Sequence, residues 1–523
     1  MKFHFFKRLL ASILLLCAIN TAVGKVKTIG YIPIDDRPVN YERVVWLCKA
    51  AGFNILIPEK EMIGTKLDNM EPYAGGRTSG DRARVLDWLK QSEGKCDYYI
   101  ISADQILSGG LVASRWLSNT DLSFEYSLCD YLIHLSEKYP VLIFDTIMRL
   151  ASTNDYQGYK LEEYSKFITY GGKNRYILKD ESLTPDNIAY YYNKDPHGQT
   201  IECSGLTGQQ IEKYFASRKR KLLLSDKLLT GSDKYLYYYL GVDDSSPNNT
   251  IQTNEINYFK NKIKNRNGMV SIGTDELGVL GVAFIAAKEY PGTKVHIEYF
   301  GGKENDYADP YNYLPLNEVI DNKLEFLNIS KTDGEEDLNI LVLTRSDNYT
   351  QAIDSLISKA KSLISCGKAV CVIDPNSGFQ TSDHKTKLGK FLIDSGIPLL
   401  ELMGYSSWNT AANSTGIGLA NSIARYSYLN ASTPSPSSND NFIALMTFSY
   451  LKDISYKSCG FCSKDDDPQV PYTFPYVLKK LNSSEIVTDF KHFSTASHRP
   501  IRVSEITNPW NRPFELLFNI DLK

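Results

Sequence analysis

The chain has 523 residues, of which 42% are hydrophobic and 23% are charged, an ordinary globular mixture that can bury a substantial core. Lys and Arg number 58 against 61 Asp and Glu, which gives a net charge of −3. This balance gives no reason to expect nucleic acid or an anionic membrane surface as a partner. The length indicates two or three domains, or one large α/β domain with extensions.

Residues 1–24 have the pattern of a secretory signal peptide. A positively charged start, Lys2–Arg8, precedes an apolar run, Leu9–Ala18, and a small-residue cleavage motif at Ala22–Gly24. The apolar run is too short for a comfortable membrane span, and no other segment approaches about 18 uninterrupted apolar residues. We therefore expect a secreted or otherwise extracytoplasmic protein without a membrane span.

The cysteine pattern permits disulfides without requiring them. Nine cysteines are present, and eight remain once Cys17 is removed with the signal peptide. An even number in an oxidising compartment is compatible with disulfide pairing. Cys459 and Cys462 form a CxxC in a loop-like stretch, which favours a local structural disulfide or two free thiols over redox catalysis. Six sequons would carry glycans only in a host that glycosylates, at Asn248, Asn328, Asn348, Asn413, Asn430 and Asn482.

Short β-rich runs alternate with helical patterns along most of the chain. The predicted strands are Lys27–Ile34, Asn54–Ile57, Tyr98–Ser102, Val141–Phe144, Met269–Gly273, Lys294–Tyr299, Asn339–Leu343, Ala369–Ile373 and Pro398–Leu402. The predicted helices between them include Tyr41–Ala51, Ser79–Gln91, Asp354–Ser365 and Asn413–Tyr426. Strands that alternate with helices predict an α/β fold with a mostly parallel sheet.

Two regions interrupt this rhythm. Residues 151–267 are polar, rich in Tyr and Lys and mainly helical in pattern, which predicts a helical insertion in the main α/β domain, residues 25–431. Residues 432–439 are typical of a linker or exposed loop, and a smaller C-terminal segment with strands follows at 440–523. We expect a (β/α)8-like barrel in preference to two doubly wound α/β lobes, because polar groups follow many strands rather than one switch point.

Polar side chains concentrate where the predicted strands end. They are Asp35, Asp36, Arg37, Asp104, Arg115, Asp145, Arg149, Asp275, Glu276, Asp374, Trp408 and Asn409. Binding sites of parallel α/β proteins are built at this edge of the sheet. One such aspartate is explained as the N-cap of the following helix. Five or six that converge with arginines favour a functional pocket.

Three chemical outcomes are open for such a pocket, since neighbouring carboxylates cannot all stay ionised without compensation. One carboxyl acts as general acid and another as base or nucleophile, as in glycosidases. Alternatively, the carboxylates hold a hard cation such as Ca²⁺ or Mg²⁺, or the arginines neutralise them in a structural network. The chain has no HExxH, P-loop or GxSxG motif, and its seven histidines are scattered, so we expect neither a His-based triad nor a zinc site.

Six blocks of the sequence resemble the DUF4127 family, a family of unknown function found largely in bacteria. They are YIPIDDRPVNYE, SADQILSGGLVASR, IMR at 147–149, SIGTDELG, YSSWNTAANSTGIGLA and NPWNRPFE. The blocks occur in the family's order and span almost the whole chain after the signal peptide. The resemblance implies a shared fold and a shared pocket at the same strand ends, without an established activity. The chain departs from the family's usual residues at Glu276, where relatives carry aspartate, and at Ser407, where they carry glycine.

These features together predict a secreted hydrolase that acts on glycosidic bonds in a polysaccharide or glycoconjugate. We expect Asp275 or Glu276 as general acid and Asp36 or Asp104 as the partner carboxylate. The substrate-binding candidates are Asp35, Arg37, Arg115, Asp145, Arg149, Asp374, Trp408 and Asn409, with Trp408 stacking on a sugar ring. A carbohydrate or another small-molecule or polymer substrate is the expected partner, and no cofactor or metal is expected. A non-catalytic carbohydrate- or cell-surface-binding protein and a metal-dependent hydrolase remain as alternatives.

Overall fold

The computed structural model of the protein describes residues 26–67, 70–152, 161–335, 337–375, 387–456, 474–483, 500–512 and 515–522. The expected signal peptide and the pair Cys459 and Cys462 lie outside these residues. The six cysteines within them, Cys48, Cys96, Cys129, Cys203, Cys366 and Cys371, are free thiols. In the part of the chain that the structure describes, no helix is long and apolar enough to cross a membrane.

Eleven strands form two parallel sheets. The first sheet contains β1 (Thr28–Ile32), β2 (Asn54–Leu56), β3 (Tyr98–Ser102), β4 (Val141–Ile147), β5 (Tyr237–Val242) and β6 (Gly268–Ile272) in the order β2-β1-β3-β4-β5-β6. The second contains β7 (Lys294–Phe300), β8 (Ser330–Lys331), β9 (Leu338–Leu343), β10 (Val370–Ile373) and β11 (Gly404–Ser406) in the order β8-β7-β9-β10-β11. Both sheets therefore repeat one open, doubly wound strand order, with the switch point between their first and third strands.

Seventeen α-helices lie among the described residues. They are α1 (Glu42–Ala50), α2 (Lys60–Ile63), α3 (Arg82–Ser92), α4 (Ala103–Ser108), α5 (Leu111–Ser114), α6 (Ser123–Lys138), α7 (Leu161–Gly171), α8 (Pro185–Tyr191), α9 (Gly208–Leu229), α10 (Thr253–Ile263), α11 (Leu277–Glu289), α12 (Leu316–Leu327), α13 (Tyr349–Ser365), α14 (Lys387–Asp394), α15 (Ala411–Ala431), α16 (Pro436–Tyr450) and α17 (Phe474–Ser483). A π-helical turn, Leu451–Tyr456, follows α16. The last two strands of the described residues, β12 (Ile501–Thr507) and β13 (Leu517–Leu522), pair with each other in antiparallel orientation.

The largest apolar core lies between the two sheets. Helices α11 and α15 pack against each other there, together with α1 and α12 and the facing residues of both sheets. Helix α11 is apolar on all sides (LGVLGVAFIAAKE) because it is enclosed between neighbours rather than exposed on one face. A second core covers the outer face of the first sheet with α3, α6, α9 and α10, and a third covers the outer face of the second sheet with α13, α14 and α16.

The prediction of an α/β fold with parallel sheets is confirmed. Eleven strands of the described residues form two open parallel sheets, and β12 and β13 form a separate antiparallel pair, so the expected closed (β/α)8 barrel is not found among these residues. The predicted strand at Pro398–Leu402 is wrong, because Leu399–Glu401 form a 3-10 turn and β11 begins at Gly404. Residues 151–267, expected to be a helical insertion, also contain β5, which pairs on both sides within the first sheet. Part of the expected linker is helical, since α16 begins at Pro436.

Candidate ligand-binding and catalytic site

A cavity of about 260 Å³ lies at the carboxyl edge of the first sheet. We call it the arginine cavity, because its walls carry the side chains of Arg37, Arg115, Arg149 and Arg512, together with Asp243, Asp244 and Asp275. The segments that follow β1, β3, β4, β5 and β6 supply part of its lining. Residues from later in the chain also line it, namely Tyr311, Asn312, Asn409, Thr410, Ala412, Asn413 and Trp510. Segments far apart in sequence therefore meet around one space.

Arg37 is held in place by three carboxylates. Its guanidinium pairs with Asp35 at 2.8 Å and with both oxygens of Asp275, and it lies 3.5 Å from Glu515. Burial works against the charged guanidinium, but the charges of Asp275, Asp35 and Glu515 outweigh it and hold the pKa of Arg37 well above its usual value. Asn40 adds a hydrogen bond to Asp35 at 2.9 Å. Arg37 thus fixes the orientation of Asp275 at the cavity wall.

Asp243 and Asp244 follow β5 directly and differ in their surroundings. The carboxylate of Asp243 is buried and forms a salt bridge with Arg115. Asp244 remains partly accessible from the cavity, and its backbone carbonyl accepts a hydrogen bond from the amide of Leu150. Burial and the charge of Asp243 raise the pKa of Asp244 to about 7, against the opposing charges of Arg149 and Arg115. Asp244 therefore exchanges a proton near neutral pH.

The cavity contains backbone conformations that are unusual for residues other than glycine. Asn409 and Trp510 have φ angles of 58° and 59°, and Asp244 has a φ of 20°. Such conformations persist only where the surrounding contacts enforce them, and they cluster at functional sites. In Asn409, the side-chain amide donates to Asn413 at 2.9 Å and thereby holds the loop that precedes α15.

Asn312 presents an unused amide to the cavity. Its side chain is 1% exposed, and neither its amide nitrogen nor its amide oxygen has a hydrogen-bond partner among the described residues. A buried amide left in this state costs roughly 1–3 kcal/mol. Because Asn312 lines the arginine cavity, a ligand with hydroxyl groups would satisfy it.

A neighbouring cavity of about 390 Å³ shares Tyr164, Asp244 and Tyr311 with the arginine cavity. Its other lining residues are mostly apolar or uncharged: Leu150, Ala151, Ile168, Thr169, Gly172, Ser245, Ser246, Asn248 and Pro310. Asp244 thus lies where the charged arginine cavity meets the less polar neighbouring cavity.

Asp104 and Asp145, two of the expected site residues, lie outside the arginine cavity. Lys221 on α9 places its ammonium group 2.5 Å from Asp104 and 2.6 Å from Asp145, and all three side chains are buried. Thr146 and Tyr238 complete the cluster with hydrogen bonds of 2.9 and 2.7 Å. These carboxylates bind α9 to the edge of the first sheet.

Glu276 is also enclosed rather than presented to a ligand. It is fully buried, and it accepts hydrogen bonds from Lys323 at 2.6 Å and from Asn413 at 2.8 Å. Its neighbour Asp275 lines the cavity, so the two adjacent carboxylates have separate surroundings. Glu276 joins β6, α12 and α15, while Asp275 faces the ligand space.

Asp35 and Asp36 are likewise adjacent in sequence but have different surroundings. Asp35 is fully buried beneath Arg37 and does not line the cavity. Asp36 accepts hydrogen bonds from the amide of Thr65 at 3.2 Å and from the indole of Trp510 at 2.9 Å. Burial and the charge of Asp35 raise the pKa of Asp36 to about 6. Asp36 therefore anchors the C-terminal segment to the loop after β1.

Two further candidates belong to the second sheet. Asp374 is fully buried at the end of β10 and is not part of the arginine cavity. Trp408 is 2% exposed, with the ammonium group of Lys452 over its ring at 4.3 Å, and it also lies outside the cavity. The tryptophan that lines the cavity is Trp510, whose ring lies 4.8 Å from the Arg37 guanidinium.

The lining residues of the cavity that were not predicted from the sequence include Asp243, Asp244, Asn312, Trp510 and Arg512. The signal for the first two was present, because Asp243 and Asp244 directly follow the run YLYYYLGV, which forms β5. Trp510 and Arg512 lie in the block NPWNRPFE, which carries part of the family resemblance, whereas Asn312 comes from a loop without a comparable signal.

One group of described residues has the spacing of a metal site. Ligand atoms of His296, Glu298 and Glu335 lie within 4.8 Å of one another. However, the ammonium group of Lys359 already bridges Glu298 at 3.2 Å and Glu335 at 2.6 Å. A divalent cation would have to displace Lys359 from this partly exposed group. Within the arginine cavity, each of Asp243 and Asp275 is paired with an arginine.

The fold and the cavity define an α/β protein with a polar, ligand-sized site at the carboxyl edge of a parallel sheet. The family described as Protein of unknown function (DUF4127) matches residues 29–519, nearly the whole chain, and the chain belongs to this family. No curated protein and no solved structure is similar enough to match the chain.

Proposed function

We propose that the protein is a glycoside hydrolase whose general acid is Asp244 and whose partner carboxylate is Asp275. The observation that carries this proposal is the position of Asp244 between two cavities, one charged and one less polar. A glycosidase needs its acid at this point, because the acid protonates the oxygen that joins the retained sugar to the leaving group.

The two carboxyl groups have the different surroundings that the chemistry requires. Asp244 is proton-bearing near neutral pH because burial and Asp243 disfavour its charge. Asp275 is kept in salt-bridge geometry by Arg37. The charge of Asp275 contributes to the raised pKa of Asp244, so the two groups act on the same space. Two carboxyl groups with different surroundings on one cavity are the pattern of paired-carboxylate glycosidases.

The proposed reaction consumes one water molecule for each bond cleaved. Asp244 gives its proton to the glycosidic oxygen as the bond from the anomeric carbon to that oxygen breaks. Asp275 accepts a proton from the water whose oxygen adds to the anomeric carbon. The proton on Asp275 then returns to Asp244 through solvent, which restores the starting state.

The hydrolase proposed is exported, as the pattern of residues 1–24 predicts. Trp510 supports sugar binding in the place first expected for Trp408, since its indole ring lines the cavity. The pairing of Asp243 and Asp275 with arginines argues against cation binding by the same carboxylates.

The test is hydrolysis of a panel of 4-nitrophenyl and 4-methylumbelliferyl glycosides by the purified protein, followed by the Asp244→Asn and Asp275→Asn variants. We expect Asp244→Asn to lower kcat/KM by about 10²–10⁴-fold for sugars with poor leaving groups. The loss is smaller for 2,4-dinitrophenyl glycosides, since that leaving group needs little protonation. Asp275→Asn should lower kcat/KM equally for glycosides with poor and with good leaving groups.

The pH dependence gives a second readout. Because Asp244 must carry its proton, kcat/KM should fall as the pH rises through about 7, and Asp244→Asn should remove this limb. Exposed Asp233→Asn is the matched control and should leave rates unchanged. Sugar binding without turnover by the wild-type protein would instead identify a non-catalytic carbohydrate-binding protein.

A further inference from the structure

Buried salt bridges occupy charged side chains of the arginine cavity. Arg37 contacts three carboxylates, and Arg115 forms a salt bridge with Asp243. The carboxylates around Arg37 are those of Asp35, Asp275 and Glu515. A charged group of a ligand would have to compete with these buried ion pairs, so the pairs favour a ligand without charge.

The amide of Asn312 is the second relevant feature of the cavity. Asn312 lines the cavity and is 1% exposed, and neither its amide nitrogen nor its amide oxygen has a hydrogen-bond partner among the described residues. In the unfolded chain, water satisfies both atoms, so burial without a partner destabilises the folded protein. A ligand that pairs with both atoms would remove this cost.

The loop that carries Asn312 is fixed by its own hydrogen bonds. The buried carboxylate of Asp309 accepts hydrogen bonds from the backbone amides of Tyr311 at 2.8 Å and of Ala411 at 2.5 Å. The backbone carbonyl of Tyr311 accepts a hydrogen bond from the backbone amide of Ser245 at 2.9 Å. Since these contacts hold the loop without a ligand, little conformational entropy is lost when Asn312 binds one.

The chemistry of the amide limits which ligand groups fit Asn312. Its NH2 group donates and its oxygen accepts, side by side in one plane. Two hydroxyl groups on neighbouring carbons of a sugar ring present the matching pair, because each hydroxyl both donates and accepts. A carboxylate, phosphate or sulfate accepts only, so it would pair with the NH2 group and leave the amide oxygen unsatisfied.

The size of the cavity limits how much of a substrate it can hold. At about 260 Å³ it lies below the range of roughly 300–1,000 Å³ that is typical of drug-sized ligands. It is therefore suited to one sugar ring.

We infer that the arginine cavity binds a single uncharged sugar ring, and that Asn312 selects this ring by pairing with two hydroxyl groups on neighbouring carbons. That this ring is part of the substrate to be cleaved rests on the proposed hydrolase function. The binding of the ring rests on the cavity and on Asn312 alone. Asn312 is thus a specificity residue of the site.

The test is calorimetric titration of the wild-type protein with free monosaccharides, which contain no scissile bond. The neutral probes are glucose, galactose, mannose and N-acetylglucosamine, and glucuronate is the charged counterpart of glucose. We expect at least one neutral sugar to bind, and glucuronate to bind no more tightly than glucose. Monodeoxy analogues of the best neutral sugar then remove one hydroxyl group at a time. Removal at either of two neighbouring carbons should lower the affinity by about ten-fold.

The same deoxy series on Asn312→Leu assigns the two hydroxyl groups to Asn312. Leucine has the branching of asparagine without its donor and acceptor, so the parent sugar should bind about ten-fold or more weakly to this variant. The two losses caused by deoxygenation should disappear, because their partner is gone. Asn312→Ala, which adds no atoms to the cavity wall, is the second variant and should give the same result.

Thermal unfolding without sugar separates a binding role of Asn312 from a structural one. Asn312→Leu should raise the melting temperature, because it removes a buried amide that lacks partners among the described residues. Asn254→Leu is the matched control and should lower it. The buried amide of Asn254 accepts from the backbone amide of Leu178 at 3.0 Å and donates to the carbonyl of Tyr176 at 2.8 Å.

Three results would overturn the inference. They are no binding of any neutral sugar at millimolar concentration, tighter binding of glucuronate than of glucose, and deoxygenation losses that persist in both Asn312 variants. Hydrolysis of glycosides by the wild-type protein in any of these cases would leave the proposed function standing. Conversely, binding that depends on Asn312 and on two neighbouring hydroxyl groups, without hydrolysis of the corresponding glycosides, would overturn the proposed function and leave the inference standing.

Discussion

Asp243 and Asp244 are adjacent in sequence, yet their carboxyl groups have different fates. Asp243 is paired with Arg115, whereas Asp244 bears the repulsion of Asp243 and Asp275 and the burial of its site. A neutral carboxyl next to a charged one is the arrangement that acid catalysis needs. The same arrangement destabilises the protein when Asp244 ionises, because the group is less favourably placed in the folded than in the unfolded chain.

This cost predicts a pH-dependent effect of Asp244→Asn on stability. The pKa of Asp244 rises from 3.8 to about 7 on folding, so its contribution to stability is full below pH 3.8 and is lost as the pH rises through about 7. At about 1.4 kcal/mol per pKa unit, the loss at pH 8 is at most about 4 kcal/mol. Asp244→Asn should therefore raise the free energy of unfolding at pH 8 but not at pH 4, as measured by urea denaturation. If the variant were equally destabilised at both pH values, Asp244 would be a structural residue.

Glu276 should behave in the opposite way, because its carboxylate stabilises the fold. Lys323 and Glu276 are both fully buried and 2.6 Å apart, so Glu276→Gln leaves an uncompensated ammonium group in the core. Breaking such a pair costs about 3–5 kcal/mol, whereas replacing both partners is far less disruptive. Urea denaturation should show this loss for Glu276→Gln and substantial recovery when Lys323→Met is added. A folded, fully stable Glu276→Gln protein without turnover would return Glu276 to the catalytic role first expected for it.

At the scale of single elements, the turn after β6 decides where Asp275 lies. Gly273 begins this turn with a φ of 109°, and a Cβ atom on it would lie 1.8 Å from Oε1 of Glu276. Gly292 has a similar φ of 104°, but nothing lies within 4 Å of its Cβ position. A substitution at either glycine would therefore strain the backbone, but only a substitution at Gly273 would also produce a steric clash.

Comparing Gly273→Ala with Gly292→Ala isolates that conflict. Both substitutions introduce a side chain at positive φ, which costs roughly 1–2 kcal/mol. Gly273→Ala must in addition displace Glu276 and the turn that carries Asp275. We expect it to lower the melting temperature more than Gly292→Ala does and to lower kcat, whereas Gly292→Ala keeps kcat. Equal effects of the two substitutions would mean that the turn adapts without moving Asp275.

The individual strands also show which parts of the fold can be predicted from the sequence alone. Strands such as Tyr98–Ser102 are continuous apolar or aromatic runs, and they were predicted because strands buried on both faces have that composition. In β5, the run YYYLGV lies inside a polar, helix-rich stretch, and it was missed. Because Asp243 and Asp244 follow that strand, missing β5 also meant missing the proposed acid.

Other parts of the site could not be predicted from local patterns. From their places at strand ends, the sequence identified five residues that the structure brings to the arginine cavity: Arg37, Arg115, Arg149, Asp275 and Asn409. It gave no means to separate Glu276 from Asp275, since their difference depends on Lys323 and Asn413, which are 47 and 137 residues away. Side-chain partners of this kind are set by packing across the molecule.

At the scale of the whole molecule, the site depends on contacts between the C-terminal segment and the loop after β1. The strands β12 and β13 pack on the outer core of the second sheet, while the segment between them contributes Trp510 and Arg512 to the cavity next to the first sheet. Glu515 links these parts, because its carboxylate lies 3.0 Å from Lys452 in the π-helical turn and 3.5 Å from Arg37 after β1. Both Glu515 and Lys452 are almost fully buried.

This link predicts that Glu515→Gln loosens the C-terminal segment and the site together. The variant leaves Lys452 without its 3.0 Å carboxylate partner and removes one of the three carboxylates around Arg37, so we expect a loss of about 3–5 kcal/mol in the free energy of unfolding. Hydrogen exchange should accelerate in Ile501–Thr507 and Leu517–Leu522, where opening no longer breaks a buried ion pair. Adding Lys452→Met should restore much of the stability, because it removes the orphaned ammonium group. Glu515→Gln could instead destabilise the two parallel sheets without faster hydrogen exchange in β12 and β13. In that case the C-terminal segment would unfold together with the core and would not open separately from it.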